Sequence, residues 1–391
     1  MIIVGGLYQE RCVAPEWNQL FGSGGRAAIA LAALAPDAQL HCFVADDFKP
    51  RAQMAMAACG VELVATPGPA LLVFSYLHPS SRASWFDSGR AATALDVRGE
   101  LVLRFGMIEG EAVVTTDTAV YDPQFEPVRF RDNGSTARRV ATVLNEEEAR
   151  GLGATDDPIA GAMAILADGS EDVVVLKRGP SGALVFTHSA SPQPVPAYRA
   201  STIFKIGSGD VFSAAFTFHW GREGRPAVEA ADLASRAVAH YVDCRTLPLP
   251  KDAAYLHGPA APIGKLGMVY LAGPFFTLGQ RWLIEEALRT LRGLGCPVFS
   301  PLHEVGFGDP QTVAPADLAG LDGSTAVLAL LDGGDPGTLF EVGHARSRDI
   351  PVVGLAEDVL DRDLTMPLGS GCDIVSDLTT AAYRTAWASM R

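Results

Sequence analysis

Val327-Leu328-Ala329-Leu330-Leu331-Asp332-Gly333-Gly334-Asp335-Pro336-Gly337-Thr338-Leu339-Phe340-Glu341-Val342-Gly343 carries an apolar run into a glycine-rich turn and then into a helical pattern. Val327 to Leu331 reads as a short buried strand, because its apolar residues are continuous and end at once in a turn. The segment after the turn reads as a helix: Thr338 and the glycines before it form the N-cap region, and Leu339, Val342, Ala345 and Arg346 fall at helical spacing. This places Glu341 in the first turn, where unsatisfied N–H groups and the helix dipole favour the ionised carboxylate. An ionised carboxylate can act as a nucleophile. Asp335, six residues earlier, could face the same cleft at the C-terminal end of the strand, the usual ligand site of an open α/β sheet. Spacing alone leaves open a second reading, in which Glu341 only caps a helix and Asp335 only makes an Asx-turn.

Working outward, the chain has 391 residues, enough for two domains with separate cores. With 48% hydrophobic and 19% charged residues it reads as soluble and globular. The net charge of −14, from 45 acidic against 31 basic residues without a Lys/Arg-rich run, argues against a duplex nucleic-acid partner or an anionic membrane surface. Small anionic substrates stay open, because a helix N-terminus can hold phosphate on an acidic protein. The six cysteines, Cys12, Cys42, Cys59, Cys244, Cys296 and Cys372, form no CxxC pair and fit reduced thiols in a cytoplasmic protein. Met1-Ile2-Ile3-Val4-Gly5-Gly6 lacks the charged start of a signal peptide and reads as a first strand.

Residues 246–267, TLPLPKDAAYLHGPAAPIGKLG, contain four prolines and no sustained periodicity, the texture of a linker. Before it, strands at Leu40 to Val44, Leu71 to Tyr76 and Val173 to Leu176 alternate with helices at Arg26 to Leu34, Ala52 to Ala58 and Ala227 to Tyr241. After it, Val269 to Leu271, a helix from Trp282 to Leu294, Pro297 to Phe299, Val327 to Leu331, a helix from Leu339 and Pro351 to Leu355 repeat the rhythm. Both halves therefore read as α/β with largely parallel sheets. The expected domains are 1–258 and 268–391, with 259–267 as linker.

Tyr270-Leu271-Ala272-Gly273-Pro274-Phe275-Phe276, Phe299-Ser300-Pro301-Leu302-His303, Asp317 and then LLDGGDPGTLFEVGHA resemble the nucleoside 2-deoxyribosyltransferase family in order and spacing, from about Met268 to about Ala356. The resemblance implies a smaller flavodoxin-like or Rossmann-like domain without a cofactor for the glycosidic step. It makes Glu341 the nucleophile on the anomeric carbon, Asp335 and Asp317 the sugar contacts and aids to base protonation, and Tyr270 the hydrogen-bond partner of the nucleophile. The chemistry agrees, since a carboxylate at C1′ stabilises and then traps an oxocarbenium-like transition state. A carboxyl held near Glu341 would be raised by like charge, which suits a general acid. Gly273, Gly337, Phe275, Phe276, Arg281 and His303 are the substrate-binding candidates. The phenylalanines could stack on a base or simply fill the core, Arg281 could meet a 5′-phosphate or lie solvated, and His344 reads as a surface residue.

Over residues 1–258 the chain resembles the ribokinase-like PfkB family, which implies an α/β sandwich. Gly207-Ser208-Gly209-Asp210 matches the family's GAGD turn, whose N–H groups hold the transferred phosphoryl and whose aspartate is the general base. Small residues at a helix N-terminus let backbone approach phosphate. Residues 173–186, VVVLKRGPSGALVF, resemble the strand-turn-strand lining an ATP site, with Gly179 and Gly182 in the turn. Asn145 and Glu148 match the NxxE linked to magnesium, or else form an acidic helix start. Ile29 stands where an asparagine should grip the sugar, position 204 is phenylalanine instead of aspartate, and the strand lid is expected to be shortened or absent.

The resulting expectation is an enzyme of nucleoside or nucleotide metabolism that cleaves or transfers an N-glycosidic bond through Glu341. A PfkB-like half precedes it, with ATP and magnesium as possible cofactors and no certain metal ligands. The alternatives are a bifunctional salvage enzyme with an active kinase, and a nucleotide-sensing regulatory protein with a gated N-glycosidase. Nucleosides, nucleotides or nucleobases are the expected partners. A homo-oligomer is expected from the resemblance alone.

Overall fold

The computed structural model describes residues 1–86, 89–124, 128–252 and 258–390. The chain divides into two compact units, Met1–Ala200 with Phe204–Ala260, and Ser201–Ile203 with Ala261–Arg391. Part of the proline-rich segment, residues 253–257, lies outside the described residues.

The first unit is built on a nine-stranded sheet, in the order Ala190–Val195, Ala183–Thr187, Val173–Lys177, Thr136–Asn145, Ala112–Asp122, Leu95–Phe105, Ile2–Val4, Gln39–Val44 and Glu62–Pro67. All neighbours run parallel except the two at the Ala190 edge. The central strands are apolar on both faces, with Ile3, Val4, Val102, Leu103, Val174 and Leu176 fully buried, as a parallel sheet covered on both sides requires. Leu95–Phe105 and Ala112–Asp122 are joined by residues 106–111 without a helix, and apolar residues from both ends of each strand enter one core cluster.

A second sheet of four short strands, Trp17–Leu20, Gln9–Cys12, Val73–Tyr76 and Ser84–Trp85, matches the shortened form of the two alternatives expected for the lid. The lid is short but present. Gln9–Cys12 forms a local hairpin with Trp17–Leu20 and pairs in parallel with the remote Val73–Tyr76, and its own residues, QERC, carry no strand signature. Val73–Tyr76, expected among the βα strands, belongs here instead. The architecture of this unit is a ribokinase-like α/β fold.

In the second unit five parallel strands run in the order Val298–Phe299, Val269–Ala272, Ala326–Leu330, Val352–Leu355, Asp373–Val375. Numbered along the chain this is 2-1-3-4-5, the flavodoxin-like order, whose switch point lies between the first and third strands. Helices Leu278–Gly293, Pro310–Asp322, Pro336–Ser347 and Leu378–Ser389 accompany the sheet. The helix expected from Trp282 begins a turn earlier, because Thr277 and Gln280 form a capping box. Among the described residues, no helix is long and apolar enough to cross a membrane.

Candidate functional site

The Ala326–Leu330 strand is followed by Asp332, the turn glycines Gly333 and Gly334, and the helix Pro336–Ser347. Asp335 is its N-cap: its Oδ2 accepts from the Thr338 N–H at 2.7 Å and the Thr338 hydroxyl at 2.9 Å. Pro336 follows at the first helical position, where a missing N–H costs nothing. The expected N-cap region was Thr338 with the glycines before it; the capping residue within that stretch is Asp335. Glu341 is therefore the sixth helical residue, beyond the orphan N–H groups of the first turn.

The consequence for Glu341 is the reverse of the expectation. Its carboxyl is pushed up to about 7, first by burial, then by the charges of Asp317 and Asp335, with the Tyr270 hydrogen bond pulling the other way. Tyr270, on the strand Val269–Ala272 beside the switch point, donates its hydroxyl to Glu341 Oε1 at 2.6 Å. Burial and the neighbouring carboxyl push the phenol far above its ordinary value, so it stays a donor. Asp317, on Pro310–Asp322, is raised by burial and leaves Oδ1 buried without a hydrogen-bond partner. Tyr270, Glu341, Asp317 and Asp335 thus share one acidic, partly dehydrated neighbourhood.

The other candidates around this site separate by their partners. Phe275, Phe276 and Phe307 form an aromatic group, with Phe275 stacked on Phe276 and edge-on to Phe307. Phe276 and Phe307 are 63% and 64% exposed, so they are not core residues. Arg281 donates from Nε to the Phe275 carbonyl at 2.8 Å and lies over the Phe307 ring, which braces the loop after the first strand. His303 is held between Ser300 and Glu285, and His344 bonds Asp322. Gly273 sits where a Cβ would come within 3.0 Å of Leu330, and a Cβ on Gly337 would meet the Asp335 carboxylate at 3.1 Å.

In the first unit Gly207 opens the helix Ser208–Phe216 with φ +75°, and a Cβ there would run into the guanidinium of Arg26. Asp210 is buried; its Oδ2 accepts from Arg26 Nη1 at 2.7 Å and its Oδ1 from Gln124 Nε2 at 2.9 Å. Arg26 also bonds Glu10 of the lid and, at 3.1 Å from Nε, the Tyr241 hydroxyl. Burial raises the Asp210 and Glu10 carboxyls while Arg26 opposes the rise in each. Lys177 meets Asp122 Oδ2 at 2.7 Å, Ser213 donates to the same oxygen at 2.6 Å, and Asp122 Oδ1 is buried without a partner.

Asn145 and Glu148 form a reciprocal capping box on Glu146–Gly153, yet Glu148 also feels Asp122 and Lys177 and is pushed up to about 8, chiefly by burial. Gly179 and Gly182 bound the turn between Val173–Lys177 and Ala183–Thr187. No group of three or more His, Cys, Asp or Glu among the described residues could hold a metal ion. Lys177 Nζ lies 3.5 Å from where a Cβ on Gly209 would stand, so a cation and the Gly207–Gly209 backbone meet where a phosphate would be held, while the Arg26 guanidinium fills the space beside Gly207 and Asp210. Sequence reasoning passed over Arg26, Glu10, Gln124 and Tyr241; the one available signal was an arginine inside an otherwise small-residue helix start, Gly22 to Ala28.

Residues 269–371 match the nucleoside 2-deoxyribosyltransferase family model, and residues 112–251 match that of the pfkB family carbohydrate kinases. Arg26 and the lid strands precede the second of these matches. No curated protein matches the chain. Solved structures similar to it include a pyrophosphate-dependent kinase in the ribokinase family complexed with a pyrophosphate analog and myo-inositol, at 15% identity over 65% of this chain and 99% of that one, TM-score 0.47. Others are a ribokinase from Thermotoga maritima, at 14% identity over 65% and 98%, TM-score 0.48, and phosphofructokinase-2 from Escherichia coli with potassium, at 15% over 66% and 98%, TM-score 0.49. The chain thus joins a pfkB-family carbohydrate kinase segment to a nucleoside 2-deoxyribosyltransferase family segment.

Proposed function

We propose that the second unit breaks the N-glycosidic bond of a nucleoside or nucleotide through a covalent glycosyl-Glu341 intermediate. The observation that carries this reading is the Tyr270–Glu341 hydrogen bond, 2.6 Å long, beside the switch point of a 2-1-3-4-5 sheet. An ionised Glu341 oxygen forms a bond to C1′ as the C1′–N bond breaks, and that electron pair leaves on the base nitrogen. Asp317, raised by burial, supplies the proton the base needs. A second base or a water then attacks C1′, and the Glu341 carboxylate leaves. Tyr270 holds one carboxyl oxygen still while the other faces the sugar.

Because the reactive state pairs an ionised Glu341, which titrates at about 7, with a protonated Asp317, the rate should pass through a maximum in pH and fall on both sides. The test is incubation with nucleosides and 5′-monophosphates, with and without an acceptor base, followed by intact-mass analysis of the protein. A glycosyl adduct that maps to Glu341 supports the reading. Base release that proceeds undiminished in Glu341→Ala sinks it.

For the first unit we propose phosphate or nucleotide binding without sugar phosphorylation, because Arg26 holds the carboxylate that would serve as base and fills the space beside it. ATP with magnesium, when bound, would supply a phosphoryl group at the Gly207–Gly209 turn, with Lys177 and Glu148 beside it. Incubation with ATP, magnesium and ribose, deoxyribose or nucleosides should yield no product that depends on Asp210. Such a product, lost in Asp210→Asn, would make the unit an active kinase.

A further inference from the structure

The ring of Tyr270 lies nearly parallel to that of Phe299, 5.6 Å between centroids and 10° between planes. The far edge of the Phe299 ring abuts Gly320, where a Cβ would overlap Cε1 and Cζ. Gly320 lies on Pro310–Asp322 three residues after Asp317, so the two share a helix face. The charge of Asp317 acts on both Tyr270 and Glu341, so that face is turned toward the pair.

We propose that Phe299 is a positioning residue for the Glu341 site, its ring bridging Gly320 and Tyr270 and so setting both the aim of the Tyr270 hydroxyl and the standoff of the Asp317 helix. A planar spacer suits this role, because it resists compression along the helix-to-tyrosine line while offset stacking holds Tyr270 in the plane that reaches Glu341. Gly320 is part of the device, because any side chain there would push the spacer into Tyr270. The consequence for rate rests on Glu341 being the nucleophile, but the positioning itself can be read without turnover.

The groups facing Glu341 are Tyr270, Asp317 and Asp335. Of these only the Tyr270 hydrogen bond lowers its titration, so loosening Tyr270 moves that titration upward. In the full-length protein, Phe299→Leu retains apolar volume and removes the ring face, and Gly320→Ala displaces the ring from its other contact. With carboxyl carbons followed by NMR, and Glu341→Gln used to assign the resonance, both variants should shift Glu341 up by about 0.5–1 pH unit. They should also lower kcat by about tenfold with little change in KM. A Glu341 titration identical to wild type in folded Phe299→Leu overturns the proposal, even if the melting temperature falls, since ordinary packing would do the same. If that variant does not fold, Gly320→Ala decides in the same way. Failure of the wild-type protein to release any base would refute the glycosidic reading and leave the titration result standing on its own.

Discussion

Glu341 and Asp210 occupy comparable places, each on a helix that follows a turn rich in glycine, yet they meet opposite partners. Glu341 is held by a neutral hydroxyl among other carboxylates, and it titrates near neutrality. Asp210 is held by a buried guanidinium that also serves Glu10. A hydroxyl fixes a carboxylate in place and leaves its charge available to a substrate. A guanidinium fixes it and neutralises that charge. The difference teaches that retaining an acidic residue at a motif position says little about reactivity until its partner is known.

The largest effect that could break the comparison is at Glu341 itself. Glu341→Ala should lower base release by at least about a thousandfold, the range for loss of a covalent nucleophile, while Asp210→Asn leaves that reaction within about twofold. Next in size, Arg26→Met should destabilise the first unit by about 3–5 kcal/mol in denaturant unfolding, because Glu10 and Asp210 would be left buried and unpaired. The triple change Arg26→Met, Glu10→Gln, Asp210→Asn should recover much of the loss.

A smaller effect sharpens the role of the neutral partner. Tyr270→Phe should slow base release by about 10- to 100-fold and move the limb of the rate profile set by Glu341 above its wild-type position near 7, since the lost hydrogen bond was the contact lowering Glu341. Stability offers an independent check on the same carboxyl. A folded-state value raised above the unfolded one means stability contributed at low pH is lost as pH rises from about 4.5 to about 7. Glu341→Gln, neutral throughout, should therefore be more stable than wild type by roughly 1–2 kcal/mol at pH 8, and by little at pH 4.

The smallest effect separates two roles of Asp335. Loss of the cap in Asp335→Ala should cost about 1 kcal/mol of stability, whereas Asp335→Asn, an equally good cap, should cost almost none. If base release falls in the asparagine variant at full stability, the charge acts in the chemistry as well as on the helix.

Much of the second unit was legible because its signals are local. Val269–Ala272 and Ala326–Leu330 are short apolar runs soon ended by Gly273 and Asp332, whereas the edge strand Asp373–Val375 has no such run, and the order of Tyr270, Asp317 and Glu341 survives without knowledge of contacts. The one-turn error at Glu341 was avoidable: Asp335-Pro336 is itself an N-cap and first-position pair. The first unit was read less well. Its lid strands are short, the hairpin of Gln9–Cys12 and Trp17–Leu20 lacks apolar alternation, and the pairing of Gln9–Cys12 with Val73–Tyr76 spans more than sixty residues. Arg26 meets Asp210 across 184 residues, and the small residues around it in the helix start mark its position without naming its partner.

By itself the sequence determined the α/β rhythm, the apolar strands and the order of acidic and aromatic residues, since these depend on hydrophobic periodicity and turn chemistry within short stretches. Only the tertiary structure decided which carboxylate meets a tyrosine hydroxyl and which meets a guanidinium. Burial and through-space charge set the state of an ionisable group, and both come from residues that the fold, not the chain order, makes neighbours.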